Sequence, residues 1–228
     1  MLLGHDLLLV SPVRVIGRLA AMWREPGFWG PIGFSFGRIV GGFFLALLLG
    51  CALAVAAGRF PVLETFLWPF VITVKTVPVA SFIIISLIWL SARQLSPFIA
   101  FLMVFPVIYA NVLQGYKSTD GKLLEMATVF RVPWRRRLLY IYLPHFRPYL
   151  TSACSVALGL CWKAGVAAEV IGIPAGSIGE KLYTAKIYLE TADLFAWTVV
   201  IVLISVLFEK LFLRLLRLGF TWLERRAA

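Results

Sequence analysis

Long uncharged apolar segments alternate with short polar connections along this chain. A helix needs about 20 apolar residues to cross the roughly 30 Å hydrocarbon core of a bilayer, because each residue adds about 1.5 Å. The segments are apolar throughout, which argues against the alternating strands of a membrane barrel. We therefore predict an all-α polytopic membrane protein with about five transmembrane helices. The predicted spans are 39–58, 71–90, 95–115, 149–168 and 194–213.

Small residues recur every four positions in the first and fourth spans, a spacing that lets two helices approach closely. We predict tight helix packing along both stripes, with a contact between subunits as the alternative. The first stripe is Gly42, Ala46, Gly50, Ala54 and Gly58, and the second is Ala153, Ala157, Cys161 and Gly165.

The segment before the first span has the pattern of a helix that lies on the membrane surface. Ser11 can cap such a helix, and Pro12 suits its first position. Its apolar face would hold Ile16, Leu19 and Trp23, and its basic face Arg14 and Arg18. We divide the chain into an interfacial segment 1–37, a transmembrane domain 38–218 and a tail 219–228.

Composition agrees with a membrane protein, since 61% of the 228 residues are hydrophobic and only 14% are charged. Residues 116–147 hold seven Lys or Arg against two acids. Because cytoplasmic loops are rich in Lys and Arg, this loop and the C-terminus are predicted in the cytoplasm, and residues 169–193 outside. The net charge of +11 therefore does not indicate nucleic-acid binding. The same count places Arg14, Arg18 and Arg24 outside, in conflict with the rule.

The basic loop is predicted to form two short helices, 121–130 and 133–142, with a break at Pro133. The loop either lies on anionic lipid or docks on a protein, and an apolar face on each helix favours docking. The aligned apolar residues are Leu123, Ala127 and Phe130 in the first helix, and Trp134, Leu138 and Ile141 in the second.

Catalytic and metal chemistry find little support. Ser35 lies in a G-x-S-x-G pattern, which needs a preceding strand and a downstream histidine. The downstream histidine, His145, lies in the basic loop, whereas Ser35 enters a membrane helix from the other side, which argues against a hydrolase. His5 is far from His145 and the three cysteines lie in apolar runs, so we predict no metal site. The chain has no phosphate-binding loop, so any ATP would be hydrolysed by another polypeptide.

Charged residues at membrane depth cost about 2.5–3.5 kcal/mol each on insertion scales. Lys75 and Glu169 lie near predicted span ends, where the charge can reach the membrane surface, while a role in a polar pathway is the alternative. Lys163 is the better pathway candidate, because most of a helix lies on one side of it. Asn111 would line the same pathway or join two helices.

The basic loop resembles the EAA motif of ABC importer permeases, E-A-A-x3-G-x9-I-x-L-P. Glu125-Met126-Ala127 is followed after three residues by Arg131, and after nine more by Ile141-x-Leu143-Pro144. Lys75-Thr76-Val77-Pro78, Cys161-Trp162-Lys163 and residues 168–172 resemble the nitrate/sulfonate/taurine/bicarbonate branch. The resemblance covers roughly residues 8–217. Arg131 stands where glycine is usual and Met126 where alanine is usual, so the turn cannot rely on the freedom of glycine at positive φ.

The resemblance implies a type I ABC importer permease-like bundle in the bacterial cytoplasmic (inner) membrane. Its partners would be a second permease copy in a homodimer, ABC ATPase subunits, an extracytoplasmic substrate-binding protein and membrane lipid. ATP and Mg would bind to the ATPase, with no cofactor on this chain. Such permeases usually have a further helix before the segment resembling 9–23, so either a sixth, N-terminal helix is missing from the present start or this is a five-span variant.

In the family, residues 116–147 would form the coupling loop that contacts the ATPase. The coupling residues carried over by the resemblance are Glu125, Met126, Ala127, Arg131, Val132, Pro133, Trp134, Ile141, Leu143 and Pro144. The translocation pathway would include Lys75, Pro78, Asn111, Trp162, Lys163 and Glu169.

We therefore expect the permease subunit of an ATP-driven importer, with no catalytic residues of its own. The cargo would be a small anion such as a sulfonate, taurine, nitrate or bicarbonate, to which the charges of Lys75 and Lys163 are suited. The alternative is an ATP-independent channel or secondary carrier, for which an ordered docking loop of this length has no obvious use.

Overall fold

The computed structural model describes residues 10–227, apart from the side chains of residues 134, 135, 138, 139 and 224–227. The expectations for His5 and for the first nine residues of the interfacial segment lie outside this range. Every regular element in the described residues is helical. The helices are α1 Pro12–Met22, α2 Trp29–Arg59, α3 Pro61–Thr76, α4 Val79–Ser86, α5 Ala92–Lys117, α6 Gly121–Val129, α7 Trp134–Arg137, a π-helical segment Leu138–Tyr142, α8 Leu143–Gly172, α9 Ile178–Ile187 and α10 Thr191–Ala227.

Three helical stretches within the described residues are long and apolar enough to cross a membrane, namely Trp29–Arg59, Ala92–Lys117 and Tyr140–Gly172. They contain the first, third and fourth predicted spans. The second predicted span is not straight, because α3 and α4 meet at a bend of 104° and together make a fourth candidate. Pro78, at the bend, lacks an N–H and disfavours helix at the residue before it. The fifth predicted span lies within α10, and its crossing of the membrane stays a prediction.

The described residues cluster in two compact units. The first unit contains residues 10–43, 77–101 and 161–207. The second contains residues 44–76, 102–160 and 208–227.

The predicted tight packing of small residues is confirmed in both units. In the first unit, a Cβ on Gly42 would overlap the carbonyl oxygen of Pro97, and a Cβ on Gly165 would lie 2.7 Å from Ile39. In the second unit, a Cβ on Gly50 would lie 3.0 Å from Ile108. Helix α2 therefore packs closely on α5 in each unit, and on α8 in the first, because side chains are missing where the backbones meet.

Helix α1 forms where predicted, with Pro12 at its first turn, but Ser11 makes no side-chain cap hydrogen bond. The side chains of the predicted apolar face have two kinds of surroundings. Leu19 packs with buried Met22 on a core from α9 and α10, whereas Ile16 and Trp23 are exposed. The contacts of Leu19 and Met22 with α9 and α10 depend on tertiary packing, which the helical periodicity of the sequence does not reveal. The buried members of this core are Met22, Phe28, Ile178, Ala196, Trp197 and Val200.

Arg18, on the same helix, is held by two carboxylates. Its Nε donates to Asp193 Oδ1 at 2.5 Å and its Nη2 to Asp193 Oδ2 at 2.8 Å, while Nη1 donates to Glu25. These hydrogen bonds raise the pKa of the Arg18 guanidinium, and the bond to Asp193 has a larger effect than the bond to Glu25. The pairing fixes α1 to the start of α10.

Candidate functional site

The turn in the basic loop, the predicted coupling loop, has a defined backbone structure. Asp120 caps α6, since its side chain accepts a hydrogen bond from the N–H of Lys122 at 2.9 Å. At the other end of α6, the backbone N–H of Arg131 donates to the carbonyl oxygen of Thr128 at 3.1 Å, and the backbone N–H of Val132 donates to the carbonyl oxygen of Ala127 at 2.9 Å. This pair of bonds is the Schellman arrangement, which satisfies helix carbonyls that would otherwise lack partners.

Arg131 occupies the left-handed position of this turn, with a φ of 48°. Glycine is the usual residue at such a position, because a Cβ makes the left-handed conformation less favourable by roughly 1–2 kcal/mol. The turn thus keeps the backbone shape that the family glycine would favour, although the residue there is arginine. The departure from the motif changes the side chain at the tip and leaves the turn intact.

Arg137 closes the turn from the next helix. Its Nε donates to the carbonyl oxygen of Val132 at 2.8 Å, and its Nη2 to that of Ala127 at 2.9 Å. One planar guanidinium therefore links the last residue of α7 to the end of α6 and to the turn between the two helices. Sequence reasoning missed this role, because Arg137 is the last of three consecutive arginines that read only as positive charge.

The break at Pro133 is confirmed, but the second predicted helix has no separate end. Helix α7 passes through the π-helical segment directly into α8. Ile141 and Tyr142 are buried there, and the Tyr142 ring stacks on Tyr116 with centroids 5.2 Å apart. The predicted alignment of Trp134 and Leu138 concerns side chains outside the described residues.

Helix α6 ends one residue before the predicted bound, with Phe130 as its C-cap residue. Of the side chains predicted for its apolar face, Ala127 is buried and Leu123 half-buried, whereas Phe130 is 74% exposed. Val129 is 78% exposed and Met126 49% exposed. We call these three exposed residues, Met126, Val129 and Phe130, the apolar tip of the coupling loop. Glu125, Arg131 and Pro133 are exposed beside it.

We expect Arg137→Gln to loosen the coupling loop. Glutamine cannot reproduce the two-point donation to Ala127 and Val132, and hydrogen bonds to charged groups contribute about 1.5–3 kcal/mol each. Limited proteolysis should cut the loop between residues 127 and 137 faster in this variant. Arg136→Gln is the matched control, because the neighbouring Arg136 is exposed and loses the same charge. Equal cleavage of the two variants would show that Arg137 does not stabilise the turn.

The first unit contains a buried polar cluster that joins α2, α8 and α9. Glu169 is fully buried, and its Oε2 accepts a hydrogen bond from the Ser35 hydroxyl at 2.6 Å. The same oxygen accepts from the N–H of Gly179 at 3.4 Å. The Ser35 oxygen in turn accepts from the N–H of Ile178 at 2.9 Å. We call Ser35, Glu169, Ile178 and Gly179 the polar cluster.

The polar cluster completes the N-terminus of α9. A helix begins with four N–H groups that have no partner within it. Here Ile178 donates to Ser35, Gly179 to Glu169, and Glu180 to the Ser177 hydroxyl at 3.0 Å. The fourth, that of the N-cap residue Ser177, donates to the Pro174 carbonyl at 3.2 Å. A carboxylate at this position also interacts favourably with the helix dipole.

Ser35 has this structural role, whereas the sequence had suggested only a weak nucleophile pattern. It lies inside α2, and both hydrogen bonds of its hydroxyl are made within the polar cluster. The strand-to-helix turn that a nucleophilic serine requires is absent at this position. The tight contact of Gly179 with α8 was likewise not visible in the sequence, since it depends on how two distant segments pack.

The predicted pathway residues have different surroundings. In the first unit, Lys163 is exposed, Trp162 is buried without a hydrogen-bond partner for its Nε1, and Pro78 lies at the bend. In the second, Lys75 is exposed in the last turn of α3. Asn111 donates to the Val107 oxygen at 2.8 Å, a bond within its own helix. Of the charged candidates, only Glu169 is buried.

Arg38 is a charged membrane residue that sequence reasoning overlooked. Its guanidinium lies 4.6 Å from the centre of the Phe34 ring and interacts electrostatically with Glu169. Two of its nitrogens, Nε and Nη2, are buried without a hydrogen-bond partner. Its position near the start of the first predicted span could have drawn attention to it.

Comparison with known proteins agrees with the resemblance. A model of the family described as "Binding-protein-dependent transport system inner membrane component" matches residues 42–226. The putative aliphatic sulfonates transport permease protein SsuC of Bacillus subtilis is 27% identical over 91% of this chain and 75% of its own length. The taurine transport system permease protein TauC of Escherichia coli is 26% identical over 96% of this chain and 79% of its own length.

A third relative, the nitrate import permease protein NrtB of Synechococcus elongatus, is 27% identical over 77% of this chain and 66% of its own length. The family match spans most of the chain and includes the coupling loop, α8 and nearly all of α10. Members of this family are multi-pass permease subunits of ABC transporters and work with an ATPase and a binding protein. They carry neither catalytic activity nor a cofactor of their own. The chain therefore belongs to the binding-protein-dependent transport system inner membrane components, as a permease subunit.

Proposed function

We propose that the permease couples to its ATPase through the apolar tip and the turn that follows it. The main support for this proposal is that three large apolar side chains are exposed on a turn whose backbone is fixed by the Schellman bonds and by Arg137. Exposed apolar residues on a rigid support are typical of protein contact sites. A loop that only lay on lipid would not need this internal bracing.

The predicted coupling residues divide into two groups in this proposal. Met126, Arg131 and Pro133 are exposed and would contact the ATPase together with Glu125. Ala127 and Ile141 are buried and would maintain the shape of the loop, as would Leu143, which is half-buried. Val132, Trp134 and Pro144 complete the predicted set.

We place the coupling loop and the C-terminus in the cytoplasm, because both are rich in Lys and Arg. The N-terminal arginines remain an exception to the rule that Lys and Arg are concentrated in cytoplasmic loops. Arg18 has Asp193 and Glu25 as partners, so it has a structural use on the proposed outer side.

A small anion remains the proposed cargo, with a second copy of this chain as the other half of the pathway. The relatives named above are permeases for sulfonates, taurine and nitrate, and taurine itself carries a sulfonate group. Lys75, Lys163 and Arg38 supply positive charge in or beside the membrane helices. At about 27% identity these relatives support the class of cargo and do not separate its members.

The coupling proposal is tested by placing a charge on the apolar tip. Phe130→Asp should weaken ATPase binding about tenfold or more, because burying an unpaired carboxylate in an apolar contact is unfavourable and central apolar contacts carry about 2 kcal/mol each. The measurement is the amount of ATPase that co-purifies with the full-length permease, together with ATP-dependent uptake in liposomes.

Ile187→Asp is the control, since Ile187 is also an exposed apolar residue, at 56%, and lies in α9 outside the coupling loop. This control should retain the ATPase. Unchanged co-purification of Phe130→Asp would refute the proposed contact. Solute uptake by the permease alone, at the same rate with and without ATPase, would favour the channel or secondary carrier instead.

A further inference from the structure

Two adjoining open clefts lie along the start of α8 and the later part of α10, both within the second unit. Their volumes are about 440 and 470 Å³. Leu213 and Arg217 line both of them. We call this pair of clefts the basic cleft.

Positive charge dominates the basic cleft. Lys210, Arg214 and Arg217 line it from α10, and Arg147 lines it from α8. Among the described side chains of this region, Glu209 accepts a hydrogen bond from the Ser155 hydroxyl at 2.9 Å, which ties the two helices together. A group of basic side chains makes a site for an anion, and guanidinium groups in particular match the oxygens of a phosphate.

The rest of the lining combines hydroxyl groups with apolar surface. Thr151, Ser152 and Ser155 add hydroxyls on α8, which are suitable donors to phosphate oxygens. Leu218, also in the lining, is 56% exposed. Val156, one helical turn beyond Ser152 toward the middle of the candidate span, is 55% exposed. Charge and exposed apolar surface therefore adjoin, which is the pattern that an amphipathic anion requires.

We propose that the basic cleft binds the phosphate headgroup of an anionic phospholipid from the cytoplasmic leaflet. The phosphate contacts the basic side chains, and the acyl chains run along the apolar surface that continues from Val156. Basic pockets between membrane helices on the cytoplasmic side are suited to such headgroups. The leaflet rests on the orientation proposed above, whereas the binding chemistry does not.

The test uses the full-length permease, purified in detergent without ATPase, so its outcome is independent of coupling. Native mass spectrometry measures how much phosphatidylglycerol or phosphatidylcholine stays bound. The wild type should prefer phosphatidylglycerol. Arg214→Gln combined with Arg217→Gln should weaken that binding about 10–30-fold, because each basic residue near a lipid surface contributes about 1 kcal/mol. Phosphatidylcholine binding should stay the same.

Two comparison variants make this result specific. Arg59→Gln with Lys122→Gln removes two exposed positive charges of the second unit outside the basic cleft and should retain phosphatidylglycerol. Arg214→Lys with Arg217→Lys keeps the charge and should retain most of the binding. Ser152→Trp fills the cleft without a change of charge and should also weaken binding, so it decides the matter if the double glutamine variant does not fold.

Three results would overturn the proposal. Equal losses in the two double glutamine variants would show general charge attraction only. Binding of inorganic phosphate as tight as that of phosphatidylglycerol would assign the cleft to a soluble anion. Unchanged lipid binding with loss of permease dimers would assign it to a contact between two copies of the chain.

Discussion

Gly179→Ala should destabilise the permease by about 3 kcal/mol or more, the upper end of the usual cost of overpacking. A Cβ at this position would overlap both the Cβ and the carbonyl carbon of Glu169, and it would lie 2.7 Å from the nitrogen of Val170. These are atoms of the α8 backbone and its first side-chain carbon, so rotation of a side chain cannot relieve the overlap. Helix α9 would have to move away from α8, and the hydrogen bonds of the polar cluster would lengthen.

The measurement is thermal unfolding of the purified chain in detergent, where this change corresponds to a lowering of Tm by about 6–12 °C. Gly37→Ala is the matched control, because a Cβ on Gly37 would meet nothing within 4 Å. That control should be neutral or slightly stabilising, since alanine favours a helix by up to about 1 kcal/mol over glycine. A Tm for Gly179→Ala equal to that of the control would contradict the close approach of α9 to α8.

Glu169→Met should be nearly as damaging, at about 2–5 kcal/mol. Methionine keeps the length of the side chain but removes the oxygen that accepts hydrogen bonds from Ser35 and Gly179. Each buried donor left without a partner costs about 1–3 kcal/mol. Glu169→Gln retains an acceptor oxygen, so its Tm should stay much closer to that of the wild type.

Comparison of Glu169→Gln with Glu169→Met therefore separates the hydrogen-bond acceptor from the carboxyl group. If Glu169→Gln folds normally but imports poorly, the carboxyl group of Glu169 has a part in transport that an amide cannot supply. Ser35→Ala combined with Glu169→Met should be less harmful than the sum of the two single changes, with a coupling of about 0.5–3 kcal/mol. Strictly additive effects would mean that Ser35 and Glu169 do not interact.

The membrane spans were predictable because they depend on local composition. Apolar length and helical rise place the spans within α2, α5 and α8, and four-residue repetition of small side chains identified the α2 surface that packs on α5. The bend between α3 and α4 was not predicted, although Pro78 was noted for its resemblance to the family. A proline allows a helix to break, but the 104° angle depends on what the two pieces pack against.

The coupling loop shows the same division between local pattern and packing. Its position, its break at Pro133 and its spacing could be read from charge, proline and the motif. The sequence comparison made Arg131 look unsuitable for the turn, yet its φ of 48° keeps the usual backbone shape. Arg137 supports that turn through two carbonyl oxygens, and nothing in a run of three arginines distinguishes the one that turns inward.

By itself, the sequence determined that this protein is a helical membrane permease with a basic loop that resembles the importer motif, because hydropathy, charge bias and motif spacing are properties of neighbouring residues. Only the tertiary structure decided that Ser35 and Glu169, 134 residues apart, share a hydrogen bond and complete the first turn of α9. Such a contact arises where backbones pack without side chains between them, as Gly179 allows, and its geometry depends on all the helices that meet there.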